Sequence, residues 1–250
     1  MTFKSLPAAR AEAEEVAALW TSSRGGTGEP ARTLVGTVAS EASFKQLAPG
    51  RRVLHLATHG FYLGDECDGP LPQNTRAVGG LTSGTAPASP ARAVRARARR
   101  VQATPENPLL LSGLAFAGAN RRSSAGADED DGILTAEEVA GLDLTGLDWA
   151  VLSACNTGLG VVRVGEGVLG LRRAFQMAGA RTVIMSVWSV EDRSTRQWMR
   201  ALYSGRFERG LDTADAVHQA ALSTLHARRS ATGSGHPFFW AGFVAAGDWR

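Results

Sequence analysis

Two short apolar runs, each stopped by small residues, constrain this chain more than any other feature. Residues 148–158 read DWAVLSACNTG, and Trp149, Ala150, Val151 and Leu152 form a run without helical period. Such a run fits a strand buried on both faces of an α/β sheet. It ends at Ser153-Ala154-Cys155, and Asn156-Thr157-Gly158 breaks it. Residues 52–60, RVLHLATHG, repeat the pattern with His59 and Gly60 at the break. Open α/β sheets bind ligands outside the carboxyl ends of their strands, so Cys155 and His59 would stand at the mouth of the sheet. The cysteine stretch alone also admits a buried structural thiol, because free Cys is among the most buried residue types. The histidine shifts the balance. A thiol attacks as its thiolate, and a neighbouring base supplies that form at neutral pH. Gly60 has no side chain to keep its N–H from a developing oxyanion.

At these residues the chain resembles the CHAT peptidases, caspase-like cysteine peptidases of clan CD related to caspases, metacaspases and separase. The motifs are VLHLATHG at 53–60 and VLSACNTGLG at 151–160, with DGILTAEEV at 131–139 and GEGV at 165–168 around the second. RTVIMSVW at 181–188 and HPFFWAGFV at 236–244 continue the likeness, which spans nearly the whole chain apart from one insertion. The resemblance implies an α/β fold, a caspase-like three-layer sandwich whose mostly parallel sheet is covered by helices on both faces. It implies one domain over 1–250. It also implies a cysteine endopeptidase in which Cys155 is the nucleophile and forms an acyl-enzyme. His59 transfers protons, the backbone N–H groups of Gly60 and Cys155 hold the oxyanion, and no third catalytic residue is needed.

Specificity is less determined. In relatives the residue two before the cysteine lines the pocket for the residue preceding the cut bond, and it is acidic in metacaspases. Here it is Ser153, so an acid-based preference for Arg or Lys finds no support at that position. Residues 188–192, Trp188-Ser189-Val190-Glu191-Asp192, resemble the segment that pairs with substrate backbone. Asp192 or Asp65 could still supply a negative charge, although a surface carboxylate at a helix start or in a loop is the plainer reading of each.

Residues 65–106 change in character. Gly, Pro, Ser, Thr and Ala dominate, and Arg92, Arg95, Arg97, Arg99 and Arg100 crowd one tract. So little apolar content does not offset the entropy of ordering, and the stretch at about 66–106 reads as a disordered insertion carrying Cys67. A solvated tether is the simpler reading of its arginines, with nucleic acid the alternative and a cleavable regulatory loop a third. The formal charge is only +3, from 27 Lys and Arg against 24 Asp and Glu, which argues little for nucleic acid.

Several other chemistries find no support. The two cysteines offer neither a disulfide framework nor zinc spacing, and a reducing, cytoplasmic setting follows. No run approaches the roughly 18 apolar residues of a membrane span, and no secretion signal is visible. His55 and His59 are four apart, but on a strand and without HExxH, so His55 reads as a hydrogen-bonded core histidine. His218, His226 and His236 lack ligand spacing, and no metal or cofactor is expected. There is no G-x-S-x-G.

The remaining periodicity predicts helices over 8–20, 40–47, 167–179, 191–203 and 212–228, with Ser40 and Thr135 as N-caps and Glu138 closing a capping box. Strands are predicted over 33–37, 52–58, 108–117, 182–187 and 243–246. Alternating strands and helices indicate a mainly parallel sheet. Expected partners are a protein or peptide substrate, with bacterial gasdermins and other defence effectors suggested by the resemblance, and a protein activator. A caspase-like interaction module without activity is the competing reading, and small-molecule acyl transfer is a third.

Overall fold

The computed structural model describes residues 2–23, 30–62, 108–124, 130–153, 170–188 and 190–250. The insertion expected at about 66–106, Asp65, Cys155 and Ser189 lie outside the described residues. Strands β1 (Val53–Ala57), β5 (Trp149–Ser153) and β6 (Thr182–Ser186) run parallel, and β7 (Phe243–Gly247) pairs antiparallel with β6. Their order across the sheet is β1-β5-β6-β7.

Successive side chains on these strands point to opposite faces, and both faces are apolar. On one, Ala150, Leu152, Val183 and Met185 pack with Phe44, Val139, Leu171 and Phe175. These come from α2 (Glu41–Leu47), α3 (Ala136–Ala140) and α4 (Gly170–Met177). On the other, Trp149, Val151 and Ile184 pack with Val16, Trp198, Leu202 and Ala216, from α1 (Pro7–Ser22), α5 (Asp192–Tyr203) and α6 (Thr213–Thr232). The result is the three-layer α/β sandwich expected of strands buried on both sides.

The predicted helices form, with Pro7 in the first turn of α1 and a left-handed Gly233 ending α6. Only residues 170–179 of the helix expected over 167–179 are described. Ser40 caps α2, accepting from the Ser43 N–H at 3.2 Å. Thr135 and Glu138 form the capping box, with bonds of 3.2 and 2.8 Å between each side chain and the other's backbone N–H.

Two departures matter. Residues 33–37 form no strand, because Gly36 takes a left-handed φ of 64° and opens a 3₁₀ turn over Gly36–Val38. Glycine adopts that backbone readily, and an extended strand cannot pass through it. Among the described residues β1 is therefore the edge of its sheet, and a cavity of about 690 Å³ runs beside it, bordered by Trp20, Leu34, Phe44, Leu54 and Leu56. The second departure is an antiparallel sheet of β2 (His59–Tyr62), β3 (Ser112–Ala115) and β4 (Ile133–Thr135), in that order. The chain does not simply stop at Gly60. It bends at Thr58, whose hydroxyl donates to the Ala115 carbonyl, and enters β2. Likewise the strand expected over 108–117 is a 3₁₀ turn, Pro108–Leu111, followed by β3.

Lys45 joins α2, α3 and the approach to β4. Its ammonium lies 2.6 Å from Glu41, 2.8 Å from Asp130 and 2.8 Å from Glu138. Glu41 is the most deeply buried of the three carboxylates and also accepts from the Gly132 N–H at 3.0 Å. Burial pushes its carboxyl up to about 7 despite Lys45. Glu138 is partly buried too, but its bonds from Lys45 and Thr135 hold it below the usual range. The folded Glu41 thus keeps a proton that the unfolded chain releases near 4.5. Its contribution favours the folded state in acid and is lost as pH rises through 7. Urea denaturation from pH 5 to pH 8 should show this group withdrawing about 1–3 kcal/mol. In Glu41→Gln that part of the slope should vanish, and an unchanged slope would contradict the assignment.

Candidate active site

The parallel pairing of β1 with β5 builds the site. Its register ends on Ala57 opposite Ser153, at the carboxyl edge of the sheet. His59 follows Ala57 by two residues, as Cys155 follows Ser153 in the sequence. On the far side of β5, β6 ends at Ser186, and Val187 donates its N–H to the Gly242 carbonyl at 2.8 Å.

His59 opens β2, opposite Ala115 of β3. Its Nε2 lies 2.6 Å from the carbonyl oxygen of Lys4. A carbonyl carries no proton, so Nε2 is the protonated nitrogen and donates. In the neutral ring Nδ1 is then the one with a free lone pair. The Phe3 ring covers the imidazole at 5.6 Å between centroids. Gly60 is the register partner of Leu114.

His59, Ser153 and Val190 line one small chamber with Ala57, Thr58, Thr195, Glu12 and the first turn of α1. Its volume is about 30 Å³, room for about one water. Glu12 and Thr195 are both buried, and the Thr195 hydroxyl has no hydrogen-bond partner among the described residues. Trp188 donates its indole N–H to the Phe238 carbonyl at 3.1 Å. A side chain on Gly242 would come within 2.6 Å of Val190, so the turn before β7 rests directly on this segment. Asp192 is the first residue of α5. Three of the residues singled out from sequence therefore meet around one chamber. The carboxylate found there is Glu12, from a helix that carried no site signal.

Among known families, the CHAT domain matches residues 1–248. The chain belongs to the CHAT-domain family. Tetratricopeptide repeat protein 28 of Homo sapiens is 34% identical over 83 residues, covering 33% of this chain and 3% of that protein. Its Mus musculus counterpart is 30% identical over 116 residues, covering 46% and 4%. This CHAT domain thus spans only a few per cent of the length of those relatives. A solved structure described as "Structure of Protease" aligns over 47% of this chain and 30% of that one, at 15% identity and a TM-score of 0.39. That likeness is too weak to bear on activity.

The histidine within β1 of this CHAT domain, His55, is structural. His55 Nδ1 is 3.1 Å from the Tyr203 hydroxyl and its Nε2 is 2.9 Å from Glu12 Oε1. Burial, reinforced by Glu12, pushes the Tyr203 phenol well above its usual value. The phenol therefore stays protonated and donates to Nδ1, which leaves Nε2–H to donate to Glu12. This chain of bonds ties α1 and α5 to β1 and holds Glu12 at the chamber. No group of three His, Cys, Asp or Glu among the described residues could hold a metal ion, and no described helix is long and apolar enough to cross a membrane. Replacing His55 by Leu leaves a buried carboxylate unpaired, which should cost about 3–5 kcal/mol. The check is urea denaturation of His55→Leu, and Glu12→Leu/His55→Leu should recover part of the loss. A single variant as stable as wild type would rule the network out as a structural tie.

Proposed function

We propose that this CHAT domain is a cysteine endopeptidase whose dyad is Cys155 and His59. The observation that supports it most is the β1–β5 register, which ends both strands level, two residues before the histidine and the cysteine. Cys155 Sγ attacks the carbonyl carbon of a peptide bond, and its proton passes to His59 Nδ1, the nitrogen left free by the Lys4 carbonyl. The N–H groups of Gly60 and Cys155 take the oxyanion, each worth about 3 kcal/mol. The C–N bond then breaks, His59 returns the proton to the leaving amine, and a water hydrolyses the thioester.

The chamber beside His59 and Ser153 is our candidate for the residue preceding the cut bond. Its size favours a small side chain such as Ala or Ser over Arg, Lys or Leu. Among the described residues, Glu12, tied to His55, is the carboxylate that lines this chamber. Trp188 and Val190 flank the path of the substrate. The substrate is a protein, with gasdermin-like defence effectors the class suggested by the family resemblance, and a protein activator is the expected partner.

Incubation of wild type, Cys155→Ala and His59→Ala with a diverse peptide library, read by mass spectrometry, tests this. Cuts made by wild type alone, after small residues, are expected. Both variants should lose at least 10³-fold in rate. Cuts that persist in Cys155→Ala would refute the dyad. Silence from all three, with Cys155 inert to a peptide electrophile, would favour the interaction module.

A further inference from the structure

The bond from His59 to the Lys4 carbonyl needs something to hold Lys4 in place. Lys4 lies in residues 2–6, which precede α1 and have no regular structure. The residue before it is gripped twice. Phe3 donates its N–H to Asn120 Oδ1 at 2.7 Å, and Asn120 Nδ2 donates to the Phe3 carbonyl at 2.8 Å. A carboxamide is a peptide group on a side chain. Its acceptor and donor lie side by side in one plane and pair with the N–H and C=O of a single residue, as a neighbouring strand would. The Phe3 ring then settles against His59 and, at 6.1 Å, Phe61.

Asn120 itself stands on a firm base. It belongs to the turn that leaves β3, where Ala119 is buried and donates its N–H to the Phe116 carbonyl at 3.1 Å. The turn presses on Gly132 so closely that a side chain there would lie 2.4 Å from the Ala119 nitrogen. β3 pairs with β2 through Ala115 and His59. The contacts therefore close a ring: from His59 across the sheet to β3, through the turn to Asn120, along Phe3 to Lys4, and back to the imidazole.

We propose that Asn120 is a positioning residue for His59, acting through the backbone of Phe3 and Lys4 to keep the ring protonated at Nε2. Its effect on catalysis rests on the peptidase reading, but its effect on the ring does not. Asn120 is exposed, so its substitution spares the core. Asn120→Asp keeps the acceptor for Phe3 N–H but sets a carboxylate against the Phe3 carbonyl. Asn120→Ala removes both bonds.

Two-bond ¹H–¹⁵N correlation spectra of histidine-labelled full chain read the tautomer directly. Wild type should show His59 in the Nε2–H form. Asn120→Ala should populate the Nδ1–H form to at least about a third, with Asn120→Asp between them and the melting temperature nearly unchanged. With any peptide the wild type cleaves, Asn120→Ala should lower kcat about 10-fold or more and leave KM within about twofold. A wild-type tautomer spectrum in both variants would overturn the proposal, whatever the activity. An altered spectrum in a chain that cleaves nothing would leave the clamp standing and count against the peptidase.

Discussion

The parallel pairing of β1 with β5 is the constraint on which the rest of the structure depends, and apolar burial alone does not secure it. Both strands are hydrophobic on both faces, so a slip of one residue would exchange one set of apolar contacts for another. Polar groups remove that ambiguity. His55 on β1 reaches Glu12 and Tyr203 in one register only. On β5 the Trp149 indole N–H, also buried, donates to the Thr213 hydroxyl at 3.1 Å. Moving either strand would strand buried donors and acceptors, and each orphaned group costs about 1–3 kcal/mol. Contacts on the face covered by α1, α5 and α6 thereby set how the carboxyl ends of the two strands line up.

That alignment has chemical consequences because the site is assembled from distant pieces of chain. The backbone of residue 4, the imidazole of residue 59, the end of β5 at residue 153 and Val190 come together at one edge. The bend at Thr58 lets one run of residues serve both sheets. The main sheet fixes the level of His59, while the antiparallel sheet and the N-terminal residues fix its orientation. A dyad needs both, since a correctly placed ring in the wrong tautomer offers a proton where a lone pair is required.

The three-layer architecture was legible in the sequence because strands buried on both faces and helices with one apolar face leave periodic traces. The runs at 149–152 and 182–187, and the caps at Ser40 and Thr135, became β5, β6 and two helix starts with little change. The Thr33–Val35 stretch misled for a physical reason. β-branched residues favour strands, but Gly36 in a left-handed conformation ends any extension. β2 and β4 went unseen because three or four residues, one of them a glycine, carry too little alternation to register.

What the sequence determined by itself was the residue types at the carboxyl ends of two strands, the family they mark and the helices that bury the sheet. All of these follow from local pattern, which short-range sterics and burial impose on neighbouring residues. The tertiary structure alone decided that His55 is a tie, that Glu12 reaches the chamber beside His59, and that a backbone carbonyl at residue 4 selects the protonated nitrogen of the imidazole. Those are contacts between residues 43 to 148 positions apart. A carbonyl is present at every position of every chain, so only the path of the backbone makes one of them part of a site.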